Sequence, residues 1–323
     1  MIAALTRVAL TRLAPPGARC RLSVLIFHRV LSKPDPLQPD APAVEEFEAK
    51  LRWVKEHFNV LPLREALEGL KQASLPERPL AITFDDGYAD NHDLALPVLQ
   101  ALGLPATFFV ATGYLDGGTM FNDVIIESVR QARGERLDLS SVGLDAYRIT
   151  NDHERLAAIR EILPRIKNIS GGRRSEISTR VAELARASVP SDLMMSREQV
   201  ARLRQSGMDI GGHTVSHPIL ASTEDDEAWM EIEAGKRALE EIVGEEVTLF
   251  AYPNGRPGVD YLRKHSAMAK QVGFRGAVST ARGVAGIAAD PYQIPRFTPW
   301  DNSPWRFGLR LGMNLSEVKY ARA

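Results

Sequence analysis

The run Leu80-Ala81-Ile82-Thr83-Phe84-Asp85-Asp86-Gly87 leads an apolar stretch directly into two acids and a glycine. Leu80 to Phe84 reads as a buried strand, short and bounded by a turn signal. In a parallel α/β sheet the carboxyl ends of the strands form the site, so Asp85 and Asp86 fall where chemistry is done. Adjacent carboxylates repel, and each raises the other's pKa unless a cation lies beside them. A plainer reading stands next to this one: an Asp at a helix start caps free backbone N–H groups.

Working outward, strand and helix patterns alternate. Upstream, Ser23 to Val30 is a β-branched and aromatic strand, and Pro34, Pro36, Pro39 and Pro42 make the next stretch an extended loop. Phe47, Leu51, Val54 and Phe58 recur at helical spacing within 44–58. A strand over 60–63 and a helix over 64–71 follow. Downstream come a helix over 91–102 closed by Gly103, and a buried strand over 106–111. The alternation resumes with helices over 197–206, 225–243 and 259–272, and strands over 208–211, 247–252 and 276–279. Such an order implies a parallel sheet with helices outside it. Between Tyr114 and Pro190 only helices are expected, over 156–166 and 176–187, with no strand. This stretch reads as an insertion on one loop of the scaffold.

A second motif is Gly211-Gly212-His213-Thr214-Val215-Ser216-His217-Pro218, again just after a short apolar strand. Two imidazoles four residues apart share a face if the segment makes one helical turn, and can then grip one metal ion. The two glycines allow a tight bend, and Pro218 stops an ordinary helix from continuing. Two imidazoles and one carboxylate make a three-ligand catalytic set with a position left open for water. The second acid of the pair is then free to act as a general base.

These motifs, together with Phe250-Ala251-Tyr252-Pro253-Asn254-Gly255, resemble the polysaccharide deacetylase family, whose shared core is the NodB homology domain of carbohydrate esterase family 4. The resemblance covers roughly 80–296, interrupted by the insertion, and Leu25 to Val30 is similar to the opening strand of the exopolysaccharide branch. It implies an α/β fold, a distorted (β/α)7 barrel. On that reading, 1–22 is an N-terminal amphipathic segment, 23–300 the barrel with its insertion at about 114–195, and 301–323 a C-terminal tail. The resemblance also implies a divalent ion, Zn2+ first with Co2+ or Ni2+ as alternatives. Asp85 matches the catalytic base, Asp86 the carboxylate ligand, and His213 and His217 the histidine ligands. Asn254 matches the backbone N–H that stabilises the oxyanion. The implied reaction is hydrolysis of the acetamide of N-acetylated amino sugars, with release of acetate.

Two departures matter. The family commonly has an arginine three residues before the oxyanion donor, and this chain has Ala251 there; Arg296 is the candidate to supply the charge from a later strand. The family often uses a late histidine as general acid, but after His217 the chain has only His265, inside an expected helix. His28, at the end of the first strand, is the candidate acid instead. His57, His92 and His153 are expected at the surface. Trp300, with Trp305 behind it, is read equally as a sugar-stacking or a packing residue. Two rival functions remain: a related hydrolase of small cyclic amides, and a glycan-binding barrel without turnover. A spare acid such as Asp85 has no use in the second.

The bulk properties exclude other classes. The formal net charge of −1 over 323 residues gives no field that draws nucleic acid, so no nucleic-acid partner is expected. The single cysteine, Cys20, excludes a disulfide framework and reads as a bystander thiol. Neither a serine-hydrolase elbow nor a phosphate-binding loop occurs. Met1 to Leu13 reads as an amphipathic helix, packed on the base of the barrel or in peripheral contact with a membrane. Arg7 and Arg12 interrupt what a signal peptide needs. The expected location is therefore cytoplasmic, or peripheral at the inner face of the membrane.

Overall fold

The protein is described here by a computed structural model covering residues 2–169, 171–301, 303–317 and 323. Helix α1 (Ile2–Leu13) leads to β1 (Ser23–Phe27), and α2 (Val44–His57), β2 (Asn59–Val60) and α3 (Leu63–Lys71) precede the quoted strand, β3 (Pro79–Phe84). Helix α4 (Leu96–Leu102) and β4 (Thr107–Val110) come before the insertion. The insertion holds α5 (Phe121–Gln131), β5 (Arg136–Asp138), β6 (Ala146–Arg148), α6 (Asp152–Lys167) and α7 (Gly171–Ala185). The alternation resumes with α8 (Arg197–Gln205), β7 (Asp209–Gly212), α9 (Asp225–Val243), β8 (Leu249–Ala251), α10 (Arg263–Gln271) and β9 (Gly276–Val278), and α11 (Pro304–Ser316) follows.

Seven strands form one parallel sheet in the order β1-β3-β4-β7-β8-β9, with β2 beside the start of β3. Residues 294–297 complete a ring: Ile294 bridges Val278 of β9, and Phe297 bridges Leu25 of β1, both in parallel. The expected α/β barrel is therefore present. All its strands run the same way, so their carboxyl ends share one rim. Every residue of β3 is buried. Phe84 stacks on Phe27 at 5.4 Å and on Phe108 at 4.7 Å between ring centroids, tying three neighbouring strands. Burying such a ring contributes about 1.5–3 kcal/mol.

The insertion has its own apolar cluster, built around Ile125, Val129, Leu139, Ile159, Ile162 and Val181. The expectation that it holds no strand is corrected: β5 and β6 pair antiparallel. Each is three residues long, with Leu137 and Tyr147 as the only buried side chains, too little for a period-2 pattern. The helix expected over 259–272 starts later, at Arg263, because Gly258 takes a positive φ of 73° and Asp260 is engaged by Arg256. Residues 301–323, expected to be a tail, contain α11; its Phe307, Leu311 and Leu315 are buried in the main core. Gly308 lets this helix settle on Trp53, whose ring would lie 2.4 Å from an added Cβ. Residues 318–322 of that stretch lie outside the described residues. His57, expected at the surface, is buried: its ring stacks on Trp53 at 4.3 Å, and its Nδ1 is 2.8 Å from the Trp53 carbonyl oxygen.

Candidate active site

The two acids at the end of β3 face different partners, which removes the conflict of adjacent carboxylates. The Asp85 N–H donates to the Phe27 carbonyl at 2.9 Å, continuing the β1–β3 pairing. The chain then turns through positive φ at Asp86 (77°) and Gly87 (92°), so Asp86 points elsewhere. Arg296, on the ring-closing segment, donates from Nη1 and Nη2 to the two oxygens of Asp85, each at 2.7 Å. Its Nε donates to the Ser279 carbonyl at 2.9 Å, and Nη1 also reaches Thr83 Oγ1 at 3.2 Å. Both members are fully buried. Burial alone would push the Asp85 carboxyl up, but the Arg296 charge, with His213 adding to it, holds it below its ordinary value. Arg296 thus sits where the sequence expected a substitute for the missing arginine.

The histidine motif is not a helical turn. β7 ends at Gly212, and both Thr214 (φ 65°) and His217 (φ 54°) adopt left-handed backbone. Thr214 Oγ1 accepts the His217 N–H at 3.1 Å. From α9, the Glu231 carboxylate accepts the N–H groups of Val215 and Ser216, both at 2.8 Å, and the Ser216 hydroxyl at 2.7 Å. Gly235 lets α9 approach closely, since a Cβ there would lie 2.9 Å from the Thr214 carbonyl. From the β4 side, the Gly113 N–H donates to the Val215 carbonyl at 2.9 Å and the Tyr114 hydroxyl to that of Ser216 at 2.8 Å. Sequence reasoning missed Glu231 and Gly235. A glycine in the middle of a long helix was the one available signal.

This loop returns His217 to the same point as His213. Nε2 of each lies 3.4 Å from Asp86 Oδ1, and the three candidate ligand atoms fall within 4.8 Å of one another. Ligands about 2.0–2.1 Å from a tetrahedral ion stand about 3.3–3.4 Å apart, so the set fits a divalent cation of that size. His213 Nδ1 lies 2.7 Å from the Ala251 carbonyl, which can only accept; Nδ1 therefore carries a proton, and Nε2 is the nitrogen turned toward the site. Ala251, where the family arginine was expected, thus acts through its main chain. Burial pushes His217 down to about 3, with Asp86 opposing and His213 reinforcing, so it stands ready as a neutral ligand. Burial alone would push the Asp86 carboxyl up, but the His213 and His217 imidazoles beside it outweigh this and hold it far below its ordinary range. Among the described residues, half of the non-glycine residues with positive φ are Asp86, Thr214, His217 and Asn254, and such strain gathers where function requires it.

The family model for polysaccharide deacetylases matches residues 72–277. The chain belongs to the polysaccharide deacetylase family. It is accordingly a hydrolase that acts on N-acetyl amide bonds. The deacetylase is 22% identical to YxkH of Bacillus subtilis, itself named only for this family, over 93% of this chain and 77% of that one. A shorter match, 33% identical over 27% of this chain and 30% of the other, joins it to the poly-β-1,6-N-acetyl-D-glucosamine N-deacetylase of Staphylococcus epidermidis. Its fold is similar to that of the Streptococcus pyogenes deacetylase PplD, with a TM-score of 0.61 and 20% identity over 91% of this chain and 98% of that one. IcaB from Ammonifex degensii follows at 0.59 and 18%, over 94% and 99%.

Of the deacetylase's remaining expected residues, Asn254 follows the end of β8, and His28 borders the same groove as Asp86. Asn254 has φ 59°, and its carbonyl accepts the Thr280 hydroxyl at 2.7 Å. Among the described residues its N–H donates to no protein acceptor. His28 is exposed at the end of β1 and shares a groove with Asp86 and Tyr88. This groove, about 350 Å³, runs between residues 37–42 and helix α6 to Trp300, which is 59% exposed. Trp305 does not line it. His265 is buried elsewhere, its Nδ1 accepting the Leu262 N–H at 3.0 Å at the start of α10. His92 and His153 lie outside the site; His92 pairs with Asp93 at 2.7 Å.

Proposed function

We propose that this deacetylase hydrolyses the acetamide of N-acetylated amino sugars within a glycan chain, releasing acetate and leaving a free amine. The single observation that carries the proposal is the division of labour at the end of β3. Asp86 converges with His213 and His217, while its neighbour Asp85 is kept ionised by Arg296. Asp86, His213 and His217 would hold the divalent ion, Zn2+ first, with Co2+ or Ni2+ as alternatives. When bound, such an ion supplies Lewis acidity that makes water a competent nucleophile near neutral pH.

The protein's own groups then do the following. Asp85 accepts a proton as the water oxygen bonds to the acetamide carbon. Arg296 holds that carboxylate in a fixed plane, so its free lone pairs face the reaction. The Asn254 N–H donates to the tetrahedral oxyanion; losing one such donor typically raises the barrier by about 2.7–4 kcal/mol. His28 gives its proton to the sugar nitrogen as the carbon–nitrogen bond breaks. The open groove ending at Trp300 suits an extended saccharide better than a small cyclic amide, because an exposed indole offers a face for a sugar ring. The named substrate of the Staphylococcus epidermidis relative makes β-1,6-linked N-acetylglucosamine the first polymer to try. The test is acetate release from N-acetylglucosamine oligomers of increasing length by the zinc-loaded protein. Turnover that rises with chain length supports the reading, and hydrolysis confined to small cyclic amides overturns it.

A further inference from the structure

The flank of the barrel formed by α1 and α11 carries an apolar face that no other element among the described residues covers. On α11, Phe307, Leu311 and Leu315 are buried in the core, yet Trp305, Leu309 and Met313, spaced four apart, form a second apolar stripe 72%, 52% and 55% exposed. On α1, Leu10 is buried while Leu5 and Val8 are 64% and 52% exposed. The two helices pack side by side, and a groove of about 740 Å³ floored by Trp53 opens between them. A helix that is apolar on two faces needs cover on both.

The charges around this face indicate what covers it. Arg7 and Arg12 on α1 and Arg306 on α11 are exposed and have no acidic partner among the described residues. No acid precedes Asp35 in the sequence, and Glu56 is the single acid among the described residues lining the groove. An apolar stripe with a tryptophan, rimmed by unpaired arginines, is the pattern that sits at the headgroup level of an anionic bilayer. None of the helices among the described residues is long and apolar enough to cross one. We propose that α1 and α11 together form a peripheral docking surface for an anionic lipid membrane, with Leu5, Val8, Trp305, Leu309 and Met313 entering the interface and Arg7, Arg12 and Arg306 meeting the headgroups. Trp300, at the end of the substrate groove, lies five residues before Trp305. The docked enzyme would therefore work on glycan close to the lipid surface.

The full chain should be sedimented with vesicles of phosphatidylcholine, with and without phosphatidylglycerol. The wild type should partition onto the anionic vesicles and release from them at high salt. Each of Arg7→Glu and Arg12→Glu should weaken partition at least about fivefold, the effect of one juxtamembrane cation. Leu309→Glu should weaken it at least about tenfold. Ile287→Glu, on an exposed apolar residue elsewhere, should change nothing. All four sites are at the surface and outside the catalytic machinery, so acetate release from a soluble oligomer and the melting temperature should match wild type. Absence of binding to anionic vesicles overturns the proposal, as does binding that Leu309→Glu leaves intact. Light scattering gives a third overturning result: a wild-type dimer that Leu309→Glu makes monomeric would mean that a second copy covers this face.

Discussion

Replacing Arg296 by methionine removes the charge beside Asp85 while keeping a long apolar stem in the same space. Two hydrogen bonds of 2.7 Å to Asp85 are lost, together with those to the Ser279 carbonyl and Thr83 Oγ1, all between buried groups. Charge centres about 4 Å apart at an effective dielectric near 20 attract by about 4 kcal/mol. Breaking one side of a buried pair costs about 3–5 kcal/mol, because the other charge stays behind without compensation. In the wild type the folded Asp85 lies below its ordinary value. Its contribution is therefore present above the unfolded value of about 3.9 and is lost as pH falls through the folded one. In Arg296→Met burial acts unopposed by the guanidinium, the folded pKa rises above the unfolded one, and the penalty appears at neutral pH and fades toward acid. Urea unfolding of chelator-treated protein at neutral pH should show the loss of about 3–5 kcal/mol, and a smaller loss near pH 4. The double variant Asp85→Asn/Arg296→Met should be more stable than the sum of the single losses predicts. The acid limb of kcat/KM should move to higher pH, and kcat should fall about 100-fold through misplacement of the base. Losses that add within about 0.5 kcal/mol, or an acid limb that stays where it was, would refute this account of Arg296.

Other outcomes follow from the same geometry. Gly235→Ala, ordinarily favourable by about 1 kcal/mol inside a helix, should instead lower the melting temperature and weaken metal affinity, because its Cβ meets the Thr214 backbone; calorimetry and a zinc titration check both. Glu231→Gln retains one acceptor for three donors and should weaken zinc binding about 10–100-fold, the usual range for groups that support ligands. His28→Gln should slow amide hydrolysis about 10²–10⁴-fold yet spare an activated aryl acetate, whose leaving group needs no proton. A uniform loss on both substrates would remove His28 from the role of acid.

Much of this site was legible because its chemistry is concentrated at strand ends. An apolar run ending in Asp85-Asp86 and a Gly-Gly pair before His213 mark positions that a parallel sheet brings to one rim. Arg296 was legible through the resemblance, because the family's usual arginine position holds Ala251 and a later arginine was the candidate to replace it. The path of the histidine loop was not. Spacing alone suggests a helical turn, whereas positive φ at Thr214 and His217 is sustained by contacts from α9 and from residues 112–114, distant along the chain. Glu231 reads locally as one more acid on a solvated helix face. The hairpin of β5 and β6 escaped because single buried residues per strand leave no alternation. His57 escaped because its burial depends on α11 closing over Trp53.

The central claim is that one ion held by Asp86, His213 and His217 works with Asp85 as base, and a zinc titration read out as acetate release tests it most directly. Chelated wild-type protein should be inactive on N-acetylglucosamine oligomers and recover fully at one equivalent of Zn2+ per chain. Asp85→Asn should bind the same equivalent and stay inactive, and His213→Ala should do neither. Full activity after chelation, or zinc-restored turnover in Asp85→Asn at the wild-type rate, would contradict it.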